Sequence, residues 1–173
     1  MSLLPWATGI VPPDPATLVV RHALLASEGR PFSPSACGFV AGLVRPGEGA
    51  VHVFSIARVW GTSFGFPNPG LLPSKQEWDE QRALVGEAVH DLRRRGIEAT
   101  GHVVGTRRAT RRILAEAART RSEVIVMAAD PPRHWFLQDM MWSQEPYRVR
   151  RRAKLPVYLV PARGATLPGG AAP

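Results

Sequence analysis

Residues 51–57 read VHVFSIA. Valine and isoleucine are β-branched and phenylalanine is aromatic, the residue types that fit a pleated surface. Apolar side chains occupy both parities of the stretch, so the strand it predicts is covered on both faces. That is the condition of an interior strand in a parallel sheet, where crossover helices lie above and below. Downstream, residues 60–73 form a glycine- and proline-rich loop. An apolar stripe at Trp78, Val85, Val89 and Leu92 then marks a helix. Gly96, preceded by three arginines, predicts its C-terminal stop, with cations where the helix dipole favours them. Ile97–Val104 reads as the next strand. Thr106 is the expected N-cap of a helix whose inner face carries Ala109, Ile113 and Ala117.

The same alternation continues to both ends. Glu123–Met127 (EVIVM) is a strand, residues 135–152 form a helix interrupted or bent near Pro146, and Pro156–Val160 (PVYLV) is the last strand. Upstream, Ala23–Ala26 is a short strand that Leu18-Val19-Val20 extends or pairs beside, and Ser27-Glu28-Gly29 turns the chain. Residues 35–44 (SACGFVAGLV) form a helix despite Gly38 and Gly42, and Arg45-Pro46-Gly47 ends it. Strands separated by single helices imply right-handed β-α-β crossovers and an α/β fold with a parallel sheet. Residues 1–17, with four prolines, are read as an irregular arm, residues 18–161 as one domain, and residues 162–173 as a disordered tail.

Composition narrows the function classes. Of 173 residues, 45% are hydrophobic and 21% charged, which suits a single soluble globular domain. The start, MSLLPWATGIVPP, lacks a basic segment leading into an apolar run, and no stretch approaches the roughly 20 apolar residues of a membrane span. A cytoplasmic location is therefore the expectation. Cys37 is the only cysteine, which rules out an internal disulfide, and its apolar neighbours predict a buried hydrophobe. The net charge of +8 favours anionic partners. Arginines cluster at 93–95, at 107–108 with 111–112, and from Arg148 to Lys154. With no DNA-binding motif beside them, any nucleic-acid contact is expected to be weak and non-specific.

Five segments, ALLASEG (23–29), VHVFSIA (51–57), HVVGTRRATRRILAEAA (102–118), EVIVMAAD (123–130) and KLPVYLV (154–160), resemble in order and spacing the universal stress protein family. The resemblance covers most of the chain. It implies a three-layer sandwich of the adenine nucleotide alpha hydrolase-like type, with a five-stranded parallel sheet in the order 3-2-1-4-5. It also implies a homodimer joined through the fifth strand, here Val157, Tyr158, Leu159 and Val160. Nucleotide-binding members carry an Asp-Gly pair after the first strand, and Glu28-Gly29 stands in that place. The glycine ending the third strand is matched by Gly105.

The loop after the fourth strand departs from the family. There the pattern is Gly, two residues, Gly, nine residues, then Gly and Ser or Thr. This chain reads AADPPRHWFLQDMMWSQ over 128–144. With Ser143 on the family's serine, Ala129, Pro132 and Trp142 replace the three glycines, and a register one residue earlier restores none of them. A phosphate cradle needs inward backbone N–H groups and close approach. Proline has no N–H, and an indole fills space. ATP is thus not the expected cofactor, although a nucleotide sensor with an atypical loop is the alternative. The loops after the second and fourth strands carry Trp60, Phe64 and Phe66, and Trp135, Phe136 and Trp142. They would lie at the sheet's C-terminal edge, where such folds bind ligands, as a cap on the core or a surface for a protein partner.

No catalytic constellation is evident: there is no Gly-x-Ser-x-Gly elbow, no Walker loop and no juxtaposed pair of carboxylates. The histidines at 22, 52, 90, 102 and 134 show no i, i+4 pair and no carboxylate at zinc-ligand spacing, so no metal is expected. The sequence therefore predicts a non-catalytic regulatory or interaction module, with a basic nucleic-acid-binding module as a further alternative.

Overall fold

The computed structural model describes residues 10–58, 62–63, 66–67, 73, 75–129 and 145–161. Along the chain these form β1 (His22–Ser27), α1 (Pro34–Leu43), β2 (Ala50–Arg58), β3 (Thr62–Ser63), β4 (Phe66–Pro67), α2 (Lys75–Arg94), β5 (Glu98–Thr106), α3 (Ala109–Arg119), β6 (Val124–Ala129), α4 (Glu145–Arg152) and β7 (Val157–Pro161). The five long strands make one parallel sheet in the order β5-β2-β1-β6-β7. Counted by long strands alone, this is 3-2-1-4-5, the order the resemblance implied.

Strand parity divides the core in two. Val51 and Val53 of β2 face a layer with Val40 and Leu43 of α1 and Val85, Ala88 and Leu92 of α2. Phe54 and Ile56 face the opposite layer with Ile113 and Ala117 of α3 and Val149 of α4. Apolar residues at both parities of 51–57 thus serve two separate clusters. Cys37 is buried in the first, as expected. Burial pushes its thiol up to about 11, with the negative charge of Asp91 adding to the effect.

Several boundaries are set by local chemistry. Ser33 caps α1, its Oγ accepting from the Ala36 N–H at 3.2 Å. Beyond α2, Gly96 takes φ of +78°, and the Ile97 N–H returns to the Leu92 carbonyl at 3.1 Å, closing the helix as predicted. Val20 forms an isolated parallel bridge to Val44, so 18–20 pairs nearby rather than extending β1.

Two expectations need correction. Thr106 is not the N-cap of α3. It ends β5, and Arg108 takes the cap position without a side-chain cap bond. The Thr106 hydroxyl instead accepts from the Arg108 N–H at 3.1 Å, because continued pairing with Arg58 of β2 holds Thr106 in extended backbone. The segment read as a plain loop contains the short antiparallel pair β3–β4. Of the helix expected over 135–152, residues 135–144 lie outside the described residues, and the described part is α4 with Pro146 and Val149 buried.

Candidate functional site

The resemblance places nucleotide-binding groups at the C-terminal ends of β1 and β5. At the end of β1 the chain folds on itself. The Ser27 hydroxyl donates to the Arg30 carbonyl at 2.6 Å and accepts from the Arg30 N–H at 2.9 Å. Gly29 adopts φ of +97°, a turn conformation that suits glycine. Its carbonyl accepts from the Gln81 side-chain amide at 3.1 Å, and Gln81 Oε1 accepts in turn from the Ser55 hydroxyl at 2.8 Å. Glu28 is only 2% exposed, with its carboxylate 3.6 Å from Arg30 Nε. The acid in the family's adenosine-binding position is therefore turned inward, toward a cation of its own loop.

Gly105 lies near the end of β5, and α2 covers it. A β-carbon there would stand 3.0 Å from Cζ2 of Trp78 and 3.7 Å from Pro73. The glycine thus admits the indole, and the Arg82 guanidinium lies 5.6 Å from the same ring's centroid. Trp78 was legible in the sequence as a core-facing position, but its pairing with Gly105 was not.

The remaining predicted groups separate clearly. Ser143, Trp60, Phe64, Trp135, Phe136 and Trp142 lie outside the described residues, and Phe66 is described only as a backbone position in β4. Val157, Tyr158, Leu159 and Val160 form β7 at one margin of the sheet. The Tyr158 hydroxyl donates to the Pro13 carbonyl at 2.7 Å, which ties the N-terminal arm to this strand. On the opposite layer, α3 and α4 pack side by side. Arg107, Arg108, Arg111 and Arg112 at the start of α3, and Arg148, Arg150, Arg151 and Arg152 on α4, are all exposed there. Two arginine clusters that are distant in sequence therefore share one side of the sheet.

One constellation was not predicted at all. His52 of β2, His102 of β5 and Glu116 of α3 converge on the α3 side of the sheet. The register pairs His52 with Thr100 and Phe54 with His102, so the two histidines share a face on adjacent strands. His52 Nε2 lies 3.0 Å from Glu116 Oε1 and 3.2 Å from His102 Nδ1, and His102 Nδ1 is 3.7 Å from the same carboxylate oxygen. Glu116 is 1% exposed. Burial pushes its pKa up, but the hydrogen bond from Arg119 and the charges of His102, Arg119 and His52 prevail and hold it below the usual carboxylate range. For His52, desolvation dominates and pushes the imidazole down, against the pull of Glu116. The signal available in the sequence was Glu116 itself, one helical turn from Ile113 and adjacent to Ala117 on a stripe otherwise apolar. The histidine spacing carried none, because the contact runs across strands.

No family model and no curated protein matches the chain. Solved structures do. A universal stress protein family member from Burkholderia pseudomallei superposes with a TM-score of 0.59 at 20% identity, covering 82% of this chain and 96% of that one. A universal stress protein from Archaeoglobus fulgidus gives 0.60 at 16% identity, over 82% of this chain and 94% of that one. A structure of the universal stress protein from Archaeoglobus fulgidus in complex with dAMP gives 0.59 at 17% identity, over 83% and 99%. The chain has the fold of the universal stress proteins.

Proposed function

We propose that this chain is a universal-stress-protein-like module that acts by binding a partner rather than by catalysis, and that it does not bind ATP. The observation carrying this reading is Glu28, buried to 2% exposure and directed at Arg30, where a nucleotide-binding member offers an acid to the adenosine. Trp78 against Gly105 supports it, as does a loop sequence over 128–144 that holds no glycine. Pairing of two copies through β7 belongs to the same reading.

The test is thermal unfolding with and without millimolar ATP and magnesium. A ligand at 100 times its dissociation constant stabilises a protein by about 2.7 kcal/mol, which shifts the melting temperature visibly. No shift is expected. A clear rise would overturn the reading in favour of a nucleotide sensor, the alternative supported by the fold's likeness to a protein solved with dAMP.

A second reading, a basic module for nucleic acid, is favoured by the arginines of α3 and α4 on one side of the sheet. Such a surface neutralises phosphates without reading bases, so its binding would be indifferent to sequence and would weaken steeply with salt.

A further inference from the structure

The contacts among His52, His102 and Glu116 form a triangle that one proton cannot serve. A neutral imidazole presents one N–H and one lone pair. His52 Nδ1 lies 3.0 Å from Thr100 Oγ1. If Nδ1 carries the proton and donates to that hydroxyl, the Nε2 lone pair faces the carboxylate oxygen at 3.0 Å and a second nitrogen at 3.2 Å. If Nε2 carries it instead, that single hydrogen is shared between two acceptors. The third edge, 3.7 Å, is too long for a hydrogen bond. A cation at the centre satisfies all three donors at once.

The dimensions fit such an ion. A tetrahedron with metal–ligand bonds of about 2.0–2.1 Å has edges of about 3.3 Å. The three observed separations of 3.0, 3.2 and 3.7 Å bracket that length. The surroundings resemble a prepared site in two further ways. Thr100 orients the His52 ring through the nitrogen not aimed at the centre, the usual outer-shell device. Glu116 is held ionised and nearly dry by Arg119, whose Nη2 donates to Oε1 at 2.6 Å and whose Nε lies 3.2 Å from Oε2. The Arg119 side chain is 59% exposed, so it can swing into water when a cation takes its place.

We propose that His52 Nε2, His102 Nδ1 and Glu116 Oε1 form a three-ligand site for a divalent cation of the zinc class, with water completing the tetrahedron. Two imidazoles and a carboxylate, with no thiolate, suit zinc and its neighbours better than calcium or magnesium. The ion would pin β2, β5 and α3 together. This goes beyond the partner-binding reading and does not depend on it.

The experiment uses the full, untagged chain stripped with a chelator and titrated with zinc chloride by calorimetry. One ion per chain is expected, together with a raised melting temperature. Cobalt(II) in place of zinc should show the intense visible absorption of tetrahedral coordination. His102 is 38% exposed on an edge strand, so His102→Gln is the variant of choice. It should weaken zinc binding by more than the about 10–100-fold that an outer-shell change costs. A second readout needs no variant: on adding zinc, the imidazole nitrogen resonances of His52 and His102 should move, and those of His22 and His90 should not. Zinc binding no stronger in the native chain than in His102→Gln, or resonance shifts confined to the other histidines, would overturn the proposal and leave the triad as a hydrogen-bonded core contact.

Discussion

Asp91 sits in the last turn of α2, where a negative charge opposes the helix dipole. It is compensated by Arg95, whose Nε donates to Oδ2 at 3.0 Å, and by Arg94, whose Nη2 donates to Oδ1 at 3.0 Å. The Arg95 hydrogen bond contributes most to holding the carboxyl below its ordinary range of ionisation. A carboxyl depressed in the folded state adds stability above its unfolded value and loses it as pH falls through the folded one. Asp91→Asn should therefore cost about 0.5–1 kcal/mol at neutral pH, a screened surface-pair magnitude. The difference should vanish in acid below the depressed range. Urea unfolding of both chains at the two pH values measures it, and a penalty that persists in acid would point to lost packing instead.

Among the elements, β5 shows how closely strand and helix are fitted. Gly101 faces α2, and a β-carbon there would lie 2.5 Å from the Val53 carbonyl oxygen and 2.8 Å from Cγ1 of Val85. The first obstacle is backbone and cannot rotate away, so β5 would have to leave β2 or α2 would have to lift. Gly101→Ala should destabilise the fold by about 1–3 kcal/mol, the usual cost of overpacking. The denaturation midpoint reads it directly. A stability equal to the native chain's would mean that the sheet edge yields more easily than its contacts with α2 imply. The same strand carries His102 toward the opposite layer, so a lifted β5 would also disturb the His52–His102 contact.

For the whole molecule, β7 is the margin that matters. It pairs with β6 on one side, and no other strand adjoins it among the described residues. Val157, Tyr158 and Val160 are buried within the chain, whereas Leu159 is half-buried. An apolar strand at a sheet margin invites pairing, and a two-fold contact between identical strands closes on itself. Sedimentation at micromolar concentration is expected to show a dimer, and a monomer there would remove β7 as the joint. Tyr158, tied to the arm through Pro13, faces the α1 layer beside Phe39, with ring centroids 5.2 Å apart. The arm therefore steadies this strand from one face.

Periodicity and turn chemistry in the sequence were sufficient for the parallel sheet, the two-sided burial of 51–57 and the stop at Gly96, while the strand order was implied by the resemblance alone. These depend on which residues repeat at a strand or helix period, and such repeats are local. Position 106 was misread because a local cap preference lost to pairing between β5 and β2, which no short window contains. Glu28 could be placed by resemblance, but its inward turn toward Arg30 follows from how the end of β1 packs. The triad of His52, His102 and Glu116 spans 65 residues of chain and exists only through strand register and the docking of α3. Contacts of that kind are decided by tertiary structure, since side chains distant in sequence meet only after the layers assemble.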